Sequence, residues 1–167
     1  QTTEINPHDG IPYIESVRII KEHVTHGIEL PKKERLPNVI TDFIRTHHGT
    51  TRVEYFYQNF RKDFPNEDID EPFFRYKGPL PYSKETAIVM MADSVEAASR
   101  SLSTPTDEQI NQLVELIIDS KIRDNQFVNC DISFKDISAI KKVFKKQLRS
   151  IYHIRISYPD IMERQEV

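Results

Sequence analysis

Four side chains of this 167-residue sequence stand out as candidate metal ligands. They are His23, the adjacent pair His47 and His48, and Asp93. Neutral imidazoles and carboxylates suit zinc, iron, manganese and related ions. Asp93 lies within the apolar run 90–95, where a buried carboxylate is costly unless it is paired, hydrogen-bonded or bound to a metal. Inward-facing groups on three helices would converge on one site, as ligands do in helical metalloproteins.

Each of these residues also has an ordinary structural interpretation. A single histidine on an apolar helix face is usually a hydrogen-bonded core residue. Asp93 can pair with a buried arginine or cap a neighbouring helix. The pair His47-His48 stands before Gly49, and histidine suits the negative end of a helix dipole. The residues alone therefore leave both interpretations open.

The elements that must position these residues are helices, because helical periodicity dominates the sequence and predicts an all-α fold. The first helix begins near Pro12, and Pro31 is expected to stop it. Its apolar stripe, in phase with His23, consists of Ile14, Val17, Ile20, Val24 and Ile28. The second helix begins near Pro37 and ends at His47-His48-Gly49, whose glycine is a natural C-cap. Its predicted buried residues are Val39, Ile40, Phe43 and Ile44.

Four more helices are predicted. A short aromatic helix follows, carrying Val53, Phe56, Tyr57 and Phe60. Ser83 caps the next helix, Thr106 with Gln109 forms a capping box for the one after it, and Ser133 caps the last. The predicted core positions of these three helices are Ala87, Ile88, Met91, Val95, Ala98, Leu102, Ile110, Leu113, Val114, Ile117, Ile118, Ile137, Ile140, Phe144, Leu148 and Ile151.

Residues 63–82 form the one long segment without a helical period. The segment contains four prolines, Gly78 and several aromatic residues, among them Phe64, Phe73, Phe74 and Tyr76. A loop of this length inside a compact domain is often functional. We expect it to flank the metal site, with Tyr76 stacking on a base of a ligand. The alternative, favoured for Phe73 and Phe74, is that the aromatic side chains only pack the loop against the helices.

Composition and charge are those of an ordinary soluble domain. Apolar residues make up 38% and charged residues 29%, and the net charge of -3 gives no sign of DNA or RNA binding. No apolar run approaches the roughly 18 residues of a membrane span. The single cysteine, Cys130, cannot form an internal disulfide, which fits a reducing compartment. The dipeptide His8-Asp9 has a proline on either side and is expected to lie in a turn rather than to bind metal.

A series of short motifs occurs in order along almost the whole chain. The two most specific are His47-His48-Gly49-Thr50 and the run Ala-Asp-Ser-Val-Glu-Ala-Ala at 92–98. Supporting motifs are Asn6-Pro7-His8-Asp9, Tyr55-Phe56-Tyr57, Tyr76-Lys77-Gly78-Pro79 and Lys84-Glu85-Thr86-Ala87-Ile88. Together they closely resemble the C-terminal part of the cytoplasmic HD domain of the seven-transmembrane HD family, the PgpH-type proteins. The resemblance implies an HD-domain-like helical bundle.

The resemblance also implies a chemistry. PgpH-type domains hydrolyse cyclic di-AMP to linear pApA with a two-metal centre of iron or manganese, which binds the scissile phosphate and lowers the pKa of a bridging water. His23 and His47 would then be ligands of one metal and Asp93 a ligand of the other. His48 would be a further ligand or a phosphate contact, and Tyr76 a second substrate contact. The parent protein would be anchored in the inner membrane with this domain in the cytoplasm.

The defining His-Asp pair of the family and another histidine ligand lie upstream of the matching region. We therefore expect residues 1–167 to be a partial HD domain with an incomplete metal site and little activity alone. Apolar faces left uncovered on the first two helices would favour self-association. Two alternatives stay open. One is a degenerate HD domain that senses nucleotide without hydrolysis; the other is a metal-free helical interaction module, with Asp93 paired to a basic side chain and His23 far from His47.

Overall fold

In the computed structural model the chain is described over residues 10–68 and 70–154, so the His8-Asp9 dipeptide lies outside the described residues. Within these ranges there are six α-helices and no named strand, which confirms the predicted all-α fold. The helices are α1 Tyr13–Lys33, α2 Asn38–Thr46, α3 Glu54–Asp63, α4 Lys84–Ser99, α5 Asp107–Arg123 and α6 Phe134–Ile154.

The last three helices begin at the capping residues that the sequence predicts. The backbone N–H of Thr86 donates to the Ser83 hydroxyl at 3.2 Å, and the Thr86 hydroxyl accepts from the Ser83 N–H in return. Thr106 and Gln109 make the same reciprocal pair at the start of α5. Ser133 accepts from the N–H of Asp136 at 3.1 Å at the start of α6. These caps are local in sequence, which is why the sequence reveals them.

Helices α4, α5 and α6 enclose the main hydrophobic core. Its buried members are Ala87, Met90, Met91, Val95, Ile110, Val114, Ile118, Phe127, Ile137 and Leu148. Each fully buried aliphatic side chain of this size contributes roughly 1.5–3 kcal/mol. The prediction for α4 is wrong at two positions, because Ile88 is exposed and Leu102 lies beyond the helix end. Met90 takes the core position instead, since apolar residues occur on several faces of α4.

Helices α1, α2 and α3 are less completely covered. A small cluster of Val17, Phe56 and Phe74 is buried between α1, α3 and the following loop. The burial predicted for Val39 and Ile40 is wrong, because they are 52% and 39% exposed. Other exposed apolar side chains of this half are Ile14, Ile19, Leu30 and Leu36. Helical phase shows which residues share a face but not whether anything covers that face, and self-association through it stays a prediction.

Pro31 does not stop α1 as expected. It lies inside the last turn, and the helix continues to Lys33, where the N–H of Glu34 donates to the carbonyl of Leu30 at 2.9 Å. A proline so close to a helix end removes only one backbone hydrogen bond, which the last turn tolerates.

Backbone hydrogen bonds to residues 51–53 fix the second part of the connection from α3 to α4. The connection contains a 3-10 turn, Glu71–Phe74, followed by an extended stretch that runs beside residues 51–53. The N–H of Val53 donates to the carbonyl of Phe74 at 2.8 Å, and the N–H of Tyr76 donates to the carbonyl of Thr51 at 2.9 Å. Phe74 is buried, in line with the packing interpretation of this aromatic residue. These bonds fix the place at which Tyr76 leaves the loop.

Candidate metal centre

Three histidine rings meet where the middle of α1 faces the end of α2. The Nε2 atom of His23 lies 3.1 Å from Nε2 of His47 and 3.1 Å from Nε2 of His48. One ligand atom from each ring can be chosen so that all three lie within 4.8 Å of one another. The proximity predicted from helix phase is therefore present in the structure. His23, however, is exposed at the surface of a cleft rather than directed into a core.

The backbone orients two of these rings. Nδ1 of His23 faces the carbonyl oxygen of Ile20, and Nδ1 of His47 faces that of Ile44 at 2.6 Å. A carbonyl only accepts, so Nδ1 is the donor in each contact, and Nε2 is the atom that each ring can offer to a metal ion. The two Nε2 atoms face each other at 3.1 Å. A carbonyl that orients the remote nitrogen is also the usual arrangement around metal-bound histidines.

His48 links this pair to Asp93. Its Nδ1 lies 3.7 Å from Oδ2 of Asp93 on α4. Burial, followed by the charges of His47 and His23, lowers the pKa of His48 to about 3, so its ring is neutral at physiological pH. Asp93 is not buried as its apolar neighbours in sequence suggest, because its side chain is 41% exposed. The carboxylate therefore keeps partial access to water, which removes the argument for a costly buried charge.

A buried amide holds the turn that carries His47 and His48. Gln126, in the turn that follows α5, accepts from the N–H of Thr50 at 3.0 Å and donates to the Thr50 hydroxyl at 3.0 Å. Gly49 has a φ of 51°, and a Cβ there would collide with Oε1 of Gln126 and lie 2.7 Å from the Met90 side chain. Glycine suits position 49 because its φ is positive and because a Cβ there would meet the neighbouring side chains. Sequence reasoning missed Gln126, because nothing local distinguishes it from a surface glutamine.

Arg75 braces the same turn from the loop. Its guanidinium donates to the carbonyl of Thr50 at 3.0 Å and to both carboxylate oxygens of Asp124, at 3.1 and 3.0 Å. It also pairs with Glu71 at 2.9 Å. The hydrogen bond to Asp124 is the main reason that the pKa of Arg75 is raised. The guanidinium is therefore a permanent cross-link between the histidine turn, the loop and α5.

Tyr76 lies where the loop was expected to reach the site. Its ring stacks on that of His48 with centroids 4.2 Å apart and planes 20° apart, and its edge faces His23. Burial, then the charge of Asp93, raises the pKa of Tyr76. The phenol therefore remains a neutral hydrogen-bond donor beside the histidines.

A cavity of about 620 Å³ opens beside the cluster and is lined by His48, Tyr76, Phe73, Lys21 and Lys77 among others. Ligand pockets of this size accept small organic molecules. The two lysines were not found from the sequence. A third lysine that was missed, Lys121 on α5, lies close enough that its charge contributes to lowering the pKa of His48.

The donor set fits a transition metal. Two imidazole nitrogens each about 2.0–2.1 Å from one ion, at an angle of roughly 90–110°, lie about 2.8–3.4 Å apart. The two Nε2 separations of 3.1 Å fall in this interval. A helical domain that brings three imidazoles and a carboxylate to one cleft belongs to the class in which ligands come from facing helices. Within the described residues, no other group of three or more such side chains has this spacing.

Comparison with known proteins narrows this class. No family model matches the chain. The cyclic-di-AMP phosphodiesterase PgpH of Listeria monocytogenes is 42% identical over 160 residues, which are 96% of this chain and 22% of that protein. PgpH of Bacillus subtilis is 40% identical over 95% of this chain and 22% of that protein. The chain therefore spans about a fifth of the length of these curated relatives.

Solved structures match over most of a single domain. The crystal structure of the HD domain of L. monocytogenes PgpH has a TM-score of 0.82 and 40% identity, covering 92% of this chain and 71% of that chain. The same domain in complex with cyclic-di-AMP has a TM-score of 0.84 and 39% identity, covering 91% and 70%. The chain belongs to the family of PgpH-type HD domains, which confirms the predicted resemblance and its helical bundle.

Membership in this family carries a dependence on divalent metal. Over residues 10–68 and 70–154, none of the helices is both long enough and apolar enough to cross a membrane.

Proposed function

We propose that the protein containing this chain is a phosphodiesterase that hydrolyses cyclic di-AMP to linear pApA, with iron or manganese ions at the histidine cluster. The observation that supports it best is the meeting of the Nε2 atoms of His23 and His47 at 3.1 Å, in a chain that belongs to the PgpH family. When bound, the ions supply a Lewis acid for the phosphate and a water of lowered pKa. Water oxygen forms the new bond to phosphorus, and the bond from phosphorus to the 3′ oxygen breaks.

The residues of this chain have distinct parts in that reaction. His23 and His47 would hold one ion through Nε2, and the carbonyls of Ile20 and Ile44 keep their rings oriented. Asp93 serves the other ion, and His48 is a further ligand or a phosphate contact. Tyr76 holds the ring of His48 on one face and offers its other face to an adenine, since base stacking on an aromatic contributes roughly 1–3 kcal/mol.

We propose further that the remaining ligands come from the part of the HD domain that has no counterpart in this chain. The solved HD domain is longer, since the match covers 71% of it. Three imidazoles and one carboxylate leave several positions of a two-ion centre to be filled by water. This chain alone would then bind metal weakly and hydrolyse cyclic di-AMP slowly.

The test compares this chain with a longer HD domain that includes the upstream helices. Metal content is measured by elemental analysis, and turnover is followed by chromatography of pApA. We expect stoichiometric metal and rapid turnover in the longer domain, and loss of both on His23→Ala. His26→Ala is the matched control, because His26 is an exposed histidine on the same helix outside the cluster. Equal losses in both variants, or an active longer domain without metal, would overturn the proposal.

The contact between His23 and His47 also bears on one alternative. A metal-free interaction module requires these rings to lie apart and Asp93 to pair with a basic side chain. The rings instead meet, and the side chain that lies 3.7 Å from the Asp93 carboxylate is the neutral ring of His48. Binding of cyclic di-AMP without turnover in the longer domain would favour the remaining alternative, a nucleotide sensor.

A further inference from the structure

Helix α6 carries a charge opposite to that of the chain as a whole. Six of the 23 basic residues but only one of the 26 acidic residues lie in its 21 residues, so the helix has a net charge of +5 in a chain of net charge -3. The basic residues are Lys135, Lys141, Lys142, Lys145, Lys146 and Arg149. Charge concentrated on one element indicates contact with a surface of opposite charge, unless other groups of the protein neutralise it.

Three of these basic groups are neutralised by helix α5. The pairs are Lys141 with Glu115 and Asp119, Lys145 with Glu115, and Arg149 with Asp107. The acidic residue of α6, Asp136, is paired as well, with Lys84 at 3.0 Å. These pairs hold α6 to its neighbours and leave no charge for a further partner.

The other three lysines lie together on the outer side of α6. Lys135, Lys142 and Lys146 are exposed, and their spacing of seven and four residues places them on one face of the helix. This face is opposite to the one that buries Ile137 and Leu148 in the core. The three lysines span about 16 Å along the helix, at a rise of about 1.5 Å per residue. None of them forms an ion pair within the part of the chain that the structure describes.

No carboxylate of α6 interrupts this outer face. Between the lysines lie the exposed residues Ser138, Ala139 and Val143, and Val143 is 53% exposed. The outer face of α6, defined by Lys135, Lys142, Lys146 and these three residues, is therefore a row of uncompensated cations with a small apolar side chain among them.

We propose that the outer face of α6 docks on a membrane surface that contains anionic phospholipid. Lysine ammonium groups are point charges with three rotatable donors, which suits mobile lipid phosphates. Their aliphatic stems and Val143 can lie against the acyl boundary while the charged ends stay at the headgroups. The net charge of -3 would repel a long nucleic acid from the rest of the chain, whereas a flat membrane contacts one face only.

The experiment measures sedimentation of the longer HD domain with vesicles of pure phosphatidylcholine and of equimolar phosphatidylcholine and phosphatidylglycerol. The test variant is Lys135→Gln/Lys142→Gln/Lys146→Gln. The matched control is Lys32→Gln/Lys33→Gln/Lys62→Gln, which removes three exposed lysines from the ends of α1 and α3 and changes the net charge by the same amount. Thermal unfolding confirms that both variants are folded.

The unchanged domain should bind the anionic vesicles and not the neutral ones, and added salt should weaken the binding. The test variant should bind the anionic vesicles roughly a hundredfold more weakly, from about a fivefold contribution of each lysine near an anionic surface. The control variant should bind like the unchanged domain.

Three results would overturn the proposal. One is the absence of binding to anionic vesicles by the unchanged domain, and another is an equal loss in the two triple variants, which would show an effect of net charge alone. The third is lysine-dependent binding to duplex RNA without binding to vesicles, which would assign the outer face of α6 to a nucleic acid instead.

Discussion

The two halves of this domain hold the candidate metal centre in different ways. Helices α4–α6 share a core of ten buried apolar residues, and this half carries Asp93 and the amide of Gln126. Helices α1 and α2 carry His23 and His47 but leave Val39 and Ile40 exposed. The site therefore lies between a well-packed support and a less covered pair of helices. The turn at 47–50 joins them, so the rigidity of the site depends on how that turn is fixed to the support.

The largest effect is expected at Gly49. Gly49→Ala should destabilise the domain by about 3–5 kcal/mol, because it combines a positive φ with a collision against Gln126 and Met90. The free energy of unfolding in denaturant checks this. Gly10→Ala is the control, since Gly10 also has a positive φ of 80° but its Cβ would meet nothing within 4 Å. Equal losses would show that close packing of the turn is unimportant.

The contrast in packing is tested by a truncation in each half. Met90→Ala should cost about 2–5 kcal/mol, the range for a buried side chain that leaves a cavity. Val39→Ala should cost less than about 1 kcal/mol, because Val39 is already half exposed. Chemical denaturation of both variants gives the comparison. A similar loss in both would mean that α2 is covered as well as α4, for example by a second copy of the chain.

The link between the halves is tested at Gln126. Gln126→Leu leaves the N–H and hydroxyl of Thr50 without their partner, and should cost about 1–3 kcal/mol. If the amide also positions the histidines, manganese affinity of the longer HD domain should fall when measured on fully folded protein. Gln112→Leu is the control, because Gln112 makes only an exposed hydrogen bond to Glu108 on the same helix α5. Unchanged manganese affinity in Gln126→Leu would show that the amide stabilises the fold but does not position the histidines for metal binding.

The smallest effect concerns the start of α6. Hydrogen bonds from Ser133, then Lys84, lower the pKa of Asp136 from 3.8 to about 2. A lowered folded-state pKa stabilises the fold fully above 3.8, and this stabilisation is lost as the pH falls through about 2. Asp136→Asn should therefore be less stable than the unchanged chain at neutral pH, and the difference should shrink in acid. A difference that does not depend on pH would contradict this assignment.

What the sequence predicts well is local. The caps at Ser83, Thr106 and Ser133 depend on neighbours within a few residues. The meeting of His23 with His47 was predicted from the inward phase of each helix together with the family resemblance. Burial is predicted less well, because apolar residues on several faces of α4 concealed Met90, and no pattern shows whether a face such as that of Val39 has a partner.

Contacts between residues that are far apart in the chain could not be predicted from the sequence. Gln126 bonds to a residue 76 positions away, and Lys21 reaches Phe73 over 52 positions. Their roles depend on which segments the fold brings together, and no short motif marks them. The resemblance to PgpH-type domains implies the chemistry, whereas the fold shows how Gln126 and Arg75 hold the turn that carries the histidines.

The central claim is that Nε2 of His23 and of His47 bind one metal ion beside Asp93. Anomalous X-ray diffraction at the manganese and iron edges, on crystals of the longer HD domain, tests it most directly. The account predicts an anomalous peak between the two Nε2 atoms, roughly 2.0–2.2 Å from each. An anomalous peak elsewhere in the domain, with the two rings still in contact and no ion between them, would contradict the claim.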